Sequence, residues 1–339
     1  LHYPLRRQRQ MCIRDRFLGY TYSWTITPIV IGLTYAIAAL GVSVMARAGQ
    51  ISFGHAMYSC ISAYTVAFLA RAMPGTDALV LILAGVAASF VAAIVIGLFV
   101  VRYRGIFFGM LNLALSMVLF ALLGKLYTLT GGSDGLRIVR PSMAGVLMER
   151  ESFERALLVL TLVLSMALAW WVQRYFRSGS GQALSAIKTN ETRIEYLGFS
   201  AYFIMWKGYL LSAVVVGFSG AILALMQGLV TPEIGSWLRS GEFVFITILG
   251  GAGHAAGAFL GAVGFETVKL VSAAYFPGLW QFLLGLTLIL VIFMFPTGFV
   301  GQIMKRVATR KRDLARAQTR ANDTVADRVR ANAQASVRN

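Results

Sequence analysis

Arg177-Ser178-Gly179-Ser180-Gly181-Gln182-Ala183-Leu184-Ser185-Ala186-Ile187-Lys188-Thr189-Asn190-Glu191-Thr192-Arg193-Ile194-Glu195-Tyr196-Leu197-Gly198 is a polar interlude between two apolar runs of membrane length. Ala183, Leu184, Ile187, Ile194 and Leu197 recur near one face at helical spacing, while Lys188, Glu191, Arg193 and Glu195 lie elsewhere. The spacing predicts an amphipathic helix, ended by Gly198 in the left-handed conformation. A chain this hydrophobic exposes few structured surfaces to water, so the segment 174–207 is a natural docking surface. A helix of this kind can lie in a partner's groove and carry a rigid-body push. It can also lie unpartnered on a membrane surface.

The rest of the composition agrees. Hydrophobic residues make up 58% of the 339 positions and charged residues 13%, with a mean hydropathy of +0.70. A soluble domain is nearer half apolar and a quarter charged. The chain is therefore read as an all-α, polytopic membrane protein with the bilayer as its main solvent. The net charge of +17 is concentrated at the ends: residues 1–16 hold five Arg against one Asp, and residues 302–339 hold ten Lys/Arg against three Asp. Basic ends of this kind mark the cytoplasmic side and give no support to nucleic-acid binding. Cys12 and Cys60 cannot build a disulfide framework.

A spanning helix needs about 20 apolar residues. Such runs are Trp24–Met45, Ile51–Ala70, Leu79–Val101, Ile106–Tyr127, Ala156–Val172, Lys207–Val230 and Leu279–Phe295. The stretch Phe243–Ser272 makes about eight segments in all, but Gly250-Gly251-Ala252-Gly253 and Gly257 interrupt it. No β pattern is visible. With segment 174–207 and the tail after Lys305 inside, Phe243–Ser272 must make an even number of crossings. Thirty residues are too few for two spans at about 1.5 Å per residue. A re-entrant hairpin turning at the glycines is expected, in preference to one kinked helix. The same count puts Thr128–Arg155 outside, Arg47, Arg102 and Arg104 inside, and the N-terminus outside despite its five arginines. Two resolutions are open: Leu1–Arg16 is non-native or disordered sequence in place of a missing helix, or Ile51–Ala70 is itself re-entrant. The first is preferred. The domains expected are thus 1–16, a permease domain 17–301 and a polar basic cytoplasmic tail 302–339.

Several polar positions stand out. Gly49, Gln50, Ser52, Gly54 and His55 sit at a helix start, and polar groups there should face the protein interior. No second His, Cys or carboxylate is spaced to join His55 as a metal ligand, so no metal site is expected. Gly131-Gly132-Ser133-Asp134-Gly135 lacks the Lys-Ser/Thr of a phosphate loop, and no GxxxxGK[ST] motif occurs in the chain. It reads as a structured external turn. Gly253, Gly257 and Gly261 form a small-residue row that lets helices approach closely. Glu266 and Lys269 are expected towards the outer end of the hairpin's return arm, with no carboxylate in the middle of any span.

At this point a resemblance becomes specific. Gly181-Gln182-Ala183-Leu184-Ser185-Ala186-Ile187-Lys188-Thr189-Asn190-Glu191 with Leu197-Gly198 resembles the cytoplasmic coupling loop of ABC importer permeases, within them the branched-chain amino acid permeases of the LivM type. Gly49-Gln50-Ile51-Ser52-Phe53-Gly54-His55, Thr130-Gly131-Gly132-Ser133-Asp134-Gly135-Leu136, Leu249-Gly250-Gly251-Ala252-Gly253 and Phe295-Pro296-Thr297-Gly298-Phe299-Val300-Gly301 resemble further family signatures, in order. The resemblance implies a transport subunit of the bacterial inner membrane that is no enzyme, has no catalytic residues and holds no cofactor of its own. ATP would be bound by separate ATPase subunits. It further implies a homologous LivH-type permease partner and an external substrate-binding protein. Coupling would fall to Ala183, Ser185, Ala186, Ile187, Lys188, Asn190, Glu191 and Gly198. The substrate pathway would run past Gly49, Gln50, Ser52, Gly54, His55, Gly250, Gly251 and Gly253. The alternative is a stand-alone secondary transporter of small amino acids or carboxylates.

Overall fold

The computed structural model of the chain describes residues 4–143, 145–146, 148–275, 278–294, 298 and 301, with side chains from Ile26 onward except at 280, 288, 291, 292 and 294. The tail 302–339, and all of Phe295–Gly301 but Gly298 and Gly301, lie outside the described residues.

The expected apolar runs are helical, with most ends displaced by a few residues and the first run extended back to Pro4. The helices are α1 (Pro4–Arg47), α2 (Ala56–Ala72), α3 (Ala78–Val100), α4 (Ile106–Lys125), α5 (Tyr127–Thr130), α6 (Arg150–Arg177), α7 (Gly179–Ile187), α8 (Glu191–Tyr196), α9 (Ala201–Gln227), α10 (Trp237–Gly250), α11 (Ala255–Tyr275) and α12 (Trp280–Met294). Among the described residues six are long and apolar enough to cross a membrane: Ile26–Arg47 within α1, and α3, α4, α6, α9 and α11. The fold is thus an all-α, multi-pass membrane protein.

α9 is the central post. It packs against α1, α2 and α3, and 78% of its apolar window is buried. Small residues make this possible. The Cβ of an alanine at Gly220 would lie 2.0 Å from the Ser59 carbonyl oxygen of α2. Ser212 donates to Gly41 O at 2.7 Å and Ser219 to Thr34 O at 2.8 Å, pinning α9 to α1. Helices without a hydrophobic driving force between them associate by this kind of close packing and interhelical hydrogen bonding.

Two ends can be told apart. At one, Arg47 lies 4.5 Å over the Phe176 ring and Arg104 pairs with Glu191; this arginine end gathers the C-termini of α1 and α6 and the α3–α4 turn. At the other, Asp77 Oδ2 accepts from Gly145 N at 3.1 Å and Ser142 donates to Gly75 O at 2.8 Å; this loop end holds the segment Thr128–Arg155. α2 leads to Arg71 at the loop end, beside Tyr127 and Arg137.

Three expectations are corrected. A two-stranded antiparallel ribbon exists: β1 (Leu136–Arg137) pairs with β2 (Leu229–Val230), Leu136 opposite Val230. Strands of two residues are too short to leave a period-2 trace in the sequence. The polar segment is two helices, α7 and α8, broken at Lys188–Asn190, because Asn190 takes an extended conformation and caps α8, its Oδ1 accepting from Arg193 N at 3.1 Å. Leu184, Ile187 and Ile194 are buried as expected, but Leu197 is 66% exposed, since the break turns the last residues of the expected face outward. Gly198 is left-handed, φ +83°, as the sequence suggests.

Phe243–Ser272 is not one kinked rod. α10 and α11 fold back on each other through Gly251–His254. The third correction follows from this hairpin: Glu242 and Glu266 lie near the middle of their helices and meet Arg239 and Lys269. Charge is therefore present near the middle of α11, a helix long and apolar enough to cross a membrane, where none was expected.

Candidate functional site

The site begins where α1 ends. Gly49 adopts φ +75°, a conformation that favours glycine, and turns the chain out of α1. Residues 50–54 then run without helix into the bundle. Gln50 is 7% exposed, and its Oε1 accepts from Gly105 N at 2.7 Å. Ser52 is buried and its Oγ accepts from Gly54 N at 3.4 Å. At Gly54 the backbones touch: an added Cβ would lie 2.1 Å from Asn112 O of α4.

His55 follows, fully buried, with Tyr58 and Tyr209 edge-on at 5.9 and 5.4 Å between ring centroids. A chain of hydrogen bonds lies beside it. Tyr58 OH donates to Tyr209 OH at 2.8 Å, Tyr209 OH donates to Asn112 Oδ1 at 2.6 Å, and Asn112 Nδ2 donates to Phe108 O at 2.8 Å. Ser89 donates to Tyr58 O at 2.7 Å. The chain links α2, α9, α4 and α3. Among the described residues no group of three or more His, Cys, Asp and Glu could hold a metal.

Tyr209→Phe leaves the Asn112 oxygen without its donor in a sealed site. The expected cost is roughly 1–3 kcal/mol, read as a lower melting midpoint in detergent; an unchanged midpoint would show that the hydroxyl chain bears no strain of packing.

The polar segment is wired to this start. A Cβ on Gly49 would lie 3.0 Å from Lys188 Cγ. Glu191 accepts from Arg104 Nε at 3.1 Å through each oxygen, and from Arg104 Nη2 at 2.8 Å. Arg104 is next to Gly105, whose amide Gln50 holds. α7 is seated on α9: Leu184 is fully buried and its methyls face Gly208. Ala183, Ser185 and Ala186 are half-buried on that helix, Ile187 is buried, and Lys188 and Asn190 are exposed. The structure thus brings the first glycine signature and the polar segment together at the arginine end.

The late glycines lie elsewhere. Gly250 backs directly onto Gly257 within the hairpin, Gly251 turns it at φ +89°, and Gly253 is exposed with open space around it. Ala255 N donates to Gln173 Oε1 of α6 at 3.1 Å. α10 reaches the residue that follows the first signature, where Ser240 Oγ accepts from Ala56 N at 3.0 Å. At the loop end, Gly131, Gly132 and Gly135 all have positive φ. Ser133 is exposed, and Tyr127 OH donates to Asp134 Oδ2 at 2.8 Å, which raises the phenol's pKa. Arg71, Tyr127, Gly131, Gly135 and Arg137 line a cavity of about 420 Å³ there.

Sequence reasoning missed Arg104, Tyr58, Tyr209 and Asn112, whose roles depend on long-range contacts. It also missed Arg239 and Glu242 as a pair with Glu266 and Lys269. Two opposite-charge i,i+3 pairs, Glu266 with Lys269 inside an apolar run and Arg239 with Glu242 just before it, were the available signal.

A bundle with an unwound, polar helix start, tied to a polar helix pair at its arginine end, has the build of a membrane transport subunit. The model of the family described as branched-chain amino acid transport system / permease component matches residues 25–292, and the chain belongs to that family. It is 27% identical over 253 residues to the high-affinity branched-chain amino acid transport system permease protein LivM of Salmonella typhimurium, covering 68% of this chain and 59% of the relative. Against LivM of Escherichia coli K12 it is 26% identical, covering 70% and 61%. The chain thus spans about three-fifths of the length of these LivM relatives. LivH of Escherichia coli K12 is 27% identical over 314 residues, covering 85% of this chain and 97% of the relative. No solved structure matches.

Proposed function

We propose that this chain is the transmembrane permease subunit of an ABC importer for branched-chain amino acids, working by alternating access in a bacterial inner membrane. The observation that carries the reading is the family match across residues 25–292. The relatives' names supply the substrate class. In this reading the arginine end is cytoplasmic, in keeping with the usual Lys/Arg bias. α7 and α8 form the coupling element, and separate ATPase subunits bind ATP and dock there. The α10–α11 hairpin is re-entrant: α10 has 14 residues, about 21 Å at 1.5 Å per residue, which is short of the hydrocarbon thickness. A LivH-type permease and an external binding protein complete the assembly.

Docking on the coupling element supplies force, and the contacts described above give it a route. A displacement of α8 pulls on Arg104, Arg104 moves the α3–α4 turn, and that turn holds Gln50 at the mouth of the unwound segment. Shifting the segment repacks His55 against the Tyr58–Tyr209–Asn112 chain. Subunits joined by such discrete contacts switch between arrangements rather than deforming smoothly.

The deciding measurement is uptake of labelled leucine by the reconstituted assembly. Uptake is expected to require ATP, the ATPase subunits and this chain together; uphill transport by this chain alone in sealed vesicles would overturn the reading. Orientation has its own check. A cysteine at Ser133 is expected to be labelled from outside the cell and one at Ser180 from inside, and the reverse pattern would invert the topology.

A further inference from the structure

The α10–α11 hairpin presses two ion pairs against α1. Arg239 Nη1 lies 3.0 Å from Glu242 Oε2, and Lys269 Nζ lies 3.8 Å from Glu266 Oε1. Lys269 also reaches Glu242 Oε1 at 3.7 Å, joining the pairs into a quartet. Tyr35 of α1, 2% exposed, forms the floor. Arg239 Nη1 donates to its hydroxyl, and Lys269 Nζ stands 4.8 Å from its ring centroid.

The quartet lies well away from the arginine end. Tyr35, its floor, is twelve residues above Arg47; at 1.5 Å per residue that is about 18 Å, roughly half of a 30 Å hydrocarbon core. The four charged side chains keep 13–29% of their surface exposed. Charge at that depth does not face lipid; it faces protein or a water-filled cavity. The open side of the quartet therefore borders a partner or an aqueous route.

The quartet is neutral, with two cations and two carboxylates, and it is loosely closed. Two of its three ion contacts are longer than a hydrogen bond. Glu266 Oε1 is sealed from solvent and accepts no hydrogen bond. A ligand carrying one cation and one anion could enter such an arrangement without changing its net charge. Its anion would find Arg239 and Lys269, and its cation would find Glu242 and Glu266.

We propose that Arg239, Glu242, Glu266 and Lys269 form a mid-depth subsite that receives the ammonium and carboxylate of a zwitterionic amino acid on its way through the membrane. This rests on the reading of the chain as an amino-acid permease. It adds a recognition step inside the membrane, so passage is selective for paired charge rather than for an apolar side chain alone.

The test uses the whole assembly in nanodiscs without the external binding protein, with leucine binding read by saturation-transfer NMR. Two competitors are included: 4-methylpentanoate, which lacks the ammonium, and isopentylamine, which lacks the carboxylate. ATP-driven leucine uptake is measured on the same preparation with the binding protein restored. Leucine is expected to bind, each competitor to be at least tenfold weaker, and Arg239→Gln and Glu242→Gln to lose binding while Lys269→Arg keeps it. Basal ATP hydrolysis reports that each variant is assembled. Equal competition by 4-methylpentanoate, or leucine binding that survives both neutralisations, would overturn the subsite. If the double variant Glu242→Gln/Lys269→Gln recovers full binding and uptake, the quartet only holds the hairpin to α1, and the proposal is again overturned. Wild-type protein that takes up leucine but does not depend on these side chains sinks the subsite alone; wild-type protein that neither takes up nor binds leucine sinks the permease reading as well.

Discussion

Glu191→Arg is expected to cut ATP-driven uptake by tenfold or more while the chain still folds and inserts. The two results separate because the ion pair is worth little in stability. Its side chains are 27% and 35% exposed, and pairs of this exposure contribute on the order of 1 kcal/mol or less. Reversal adds repulsion of similar size. What it removes is the tether between α8 and the α3–α4 turn, in which both carboxylate oxygens engage the Arg104 guanidinium. Exchange of the charges, Arg104→Glu with Glu191→Arg, is expected to restore uptake in part. Recovery is incomplete because Arg104 also donates to the Val101 and Tyr103 carbonyls, which a glutamate cannot do. Uptake at the wild-type rate in the single variant would show that force does not pass through this pair.

Gly250→Val is expected to be more damaging, and of a different kind. A Cβ at Gly250 would lie 1.8 Å from Gly257 O and 2.4 Å from Gly257 C. Both atoms are backbone, so no rotamer change relieves the clash. Overpacking ordinarily costs about 1–3 kcal/mol, and an obstacle made of main chain belongs at the top of that range or beyond it. The hairpin is expected to splay, with loss of monodisperse protein after extraction. Gly253→Ala is the control, since nothing lies within 4 Å of a Cβ there. Normal yield and melting for Gly250→Val would refute the close approach of α10 and α11.

The membrane class was readable because it rests on composition and on run length, and neither depends on how helices meet. The fold-back of α10 on α11 was readable because the glycines at 250–253 supplied a turn. The break in the polar segment was not, because Ala183 to Leu197 has an unbroken helical period and only the local competition at Asn190, whose side chain caps the next helix, interrupts it. The buried chain through Tyr58, Tyr209 and Asn112 joins residues 97 and 151 positions apart. No spacing rule reaches that far. The charge quartet was half legible. Arg239 with Glu242 and Glu266 with Lys269 are visible as i,i+3 pairs, but only the folding back of α11 onto α10 sets them level with Tyr35.

α9 is bound at both extremities. Near its start it seats α7, through Leu184 against Gly208; just past its finish, Val230 is laced to Leu136 of the loop end. At 27 residues it is a strut of about 40 Å. A strut anchored this way cannot swing at one mouth and rest at the other: a 10° rocking about its midpoint shifts each tip by roughly 3.5 Å in opposite directions. The two ends are thus geared together: a shift of α9 at the arginine end is matched by an opposite shift at the loop end.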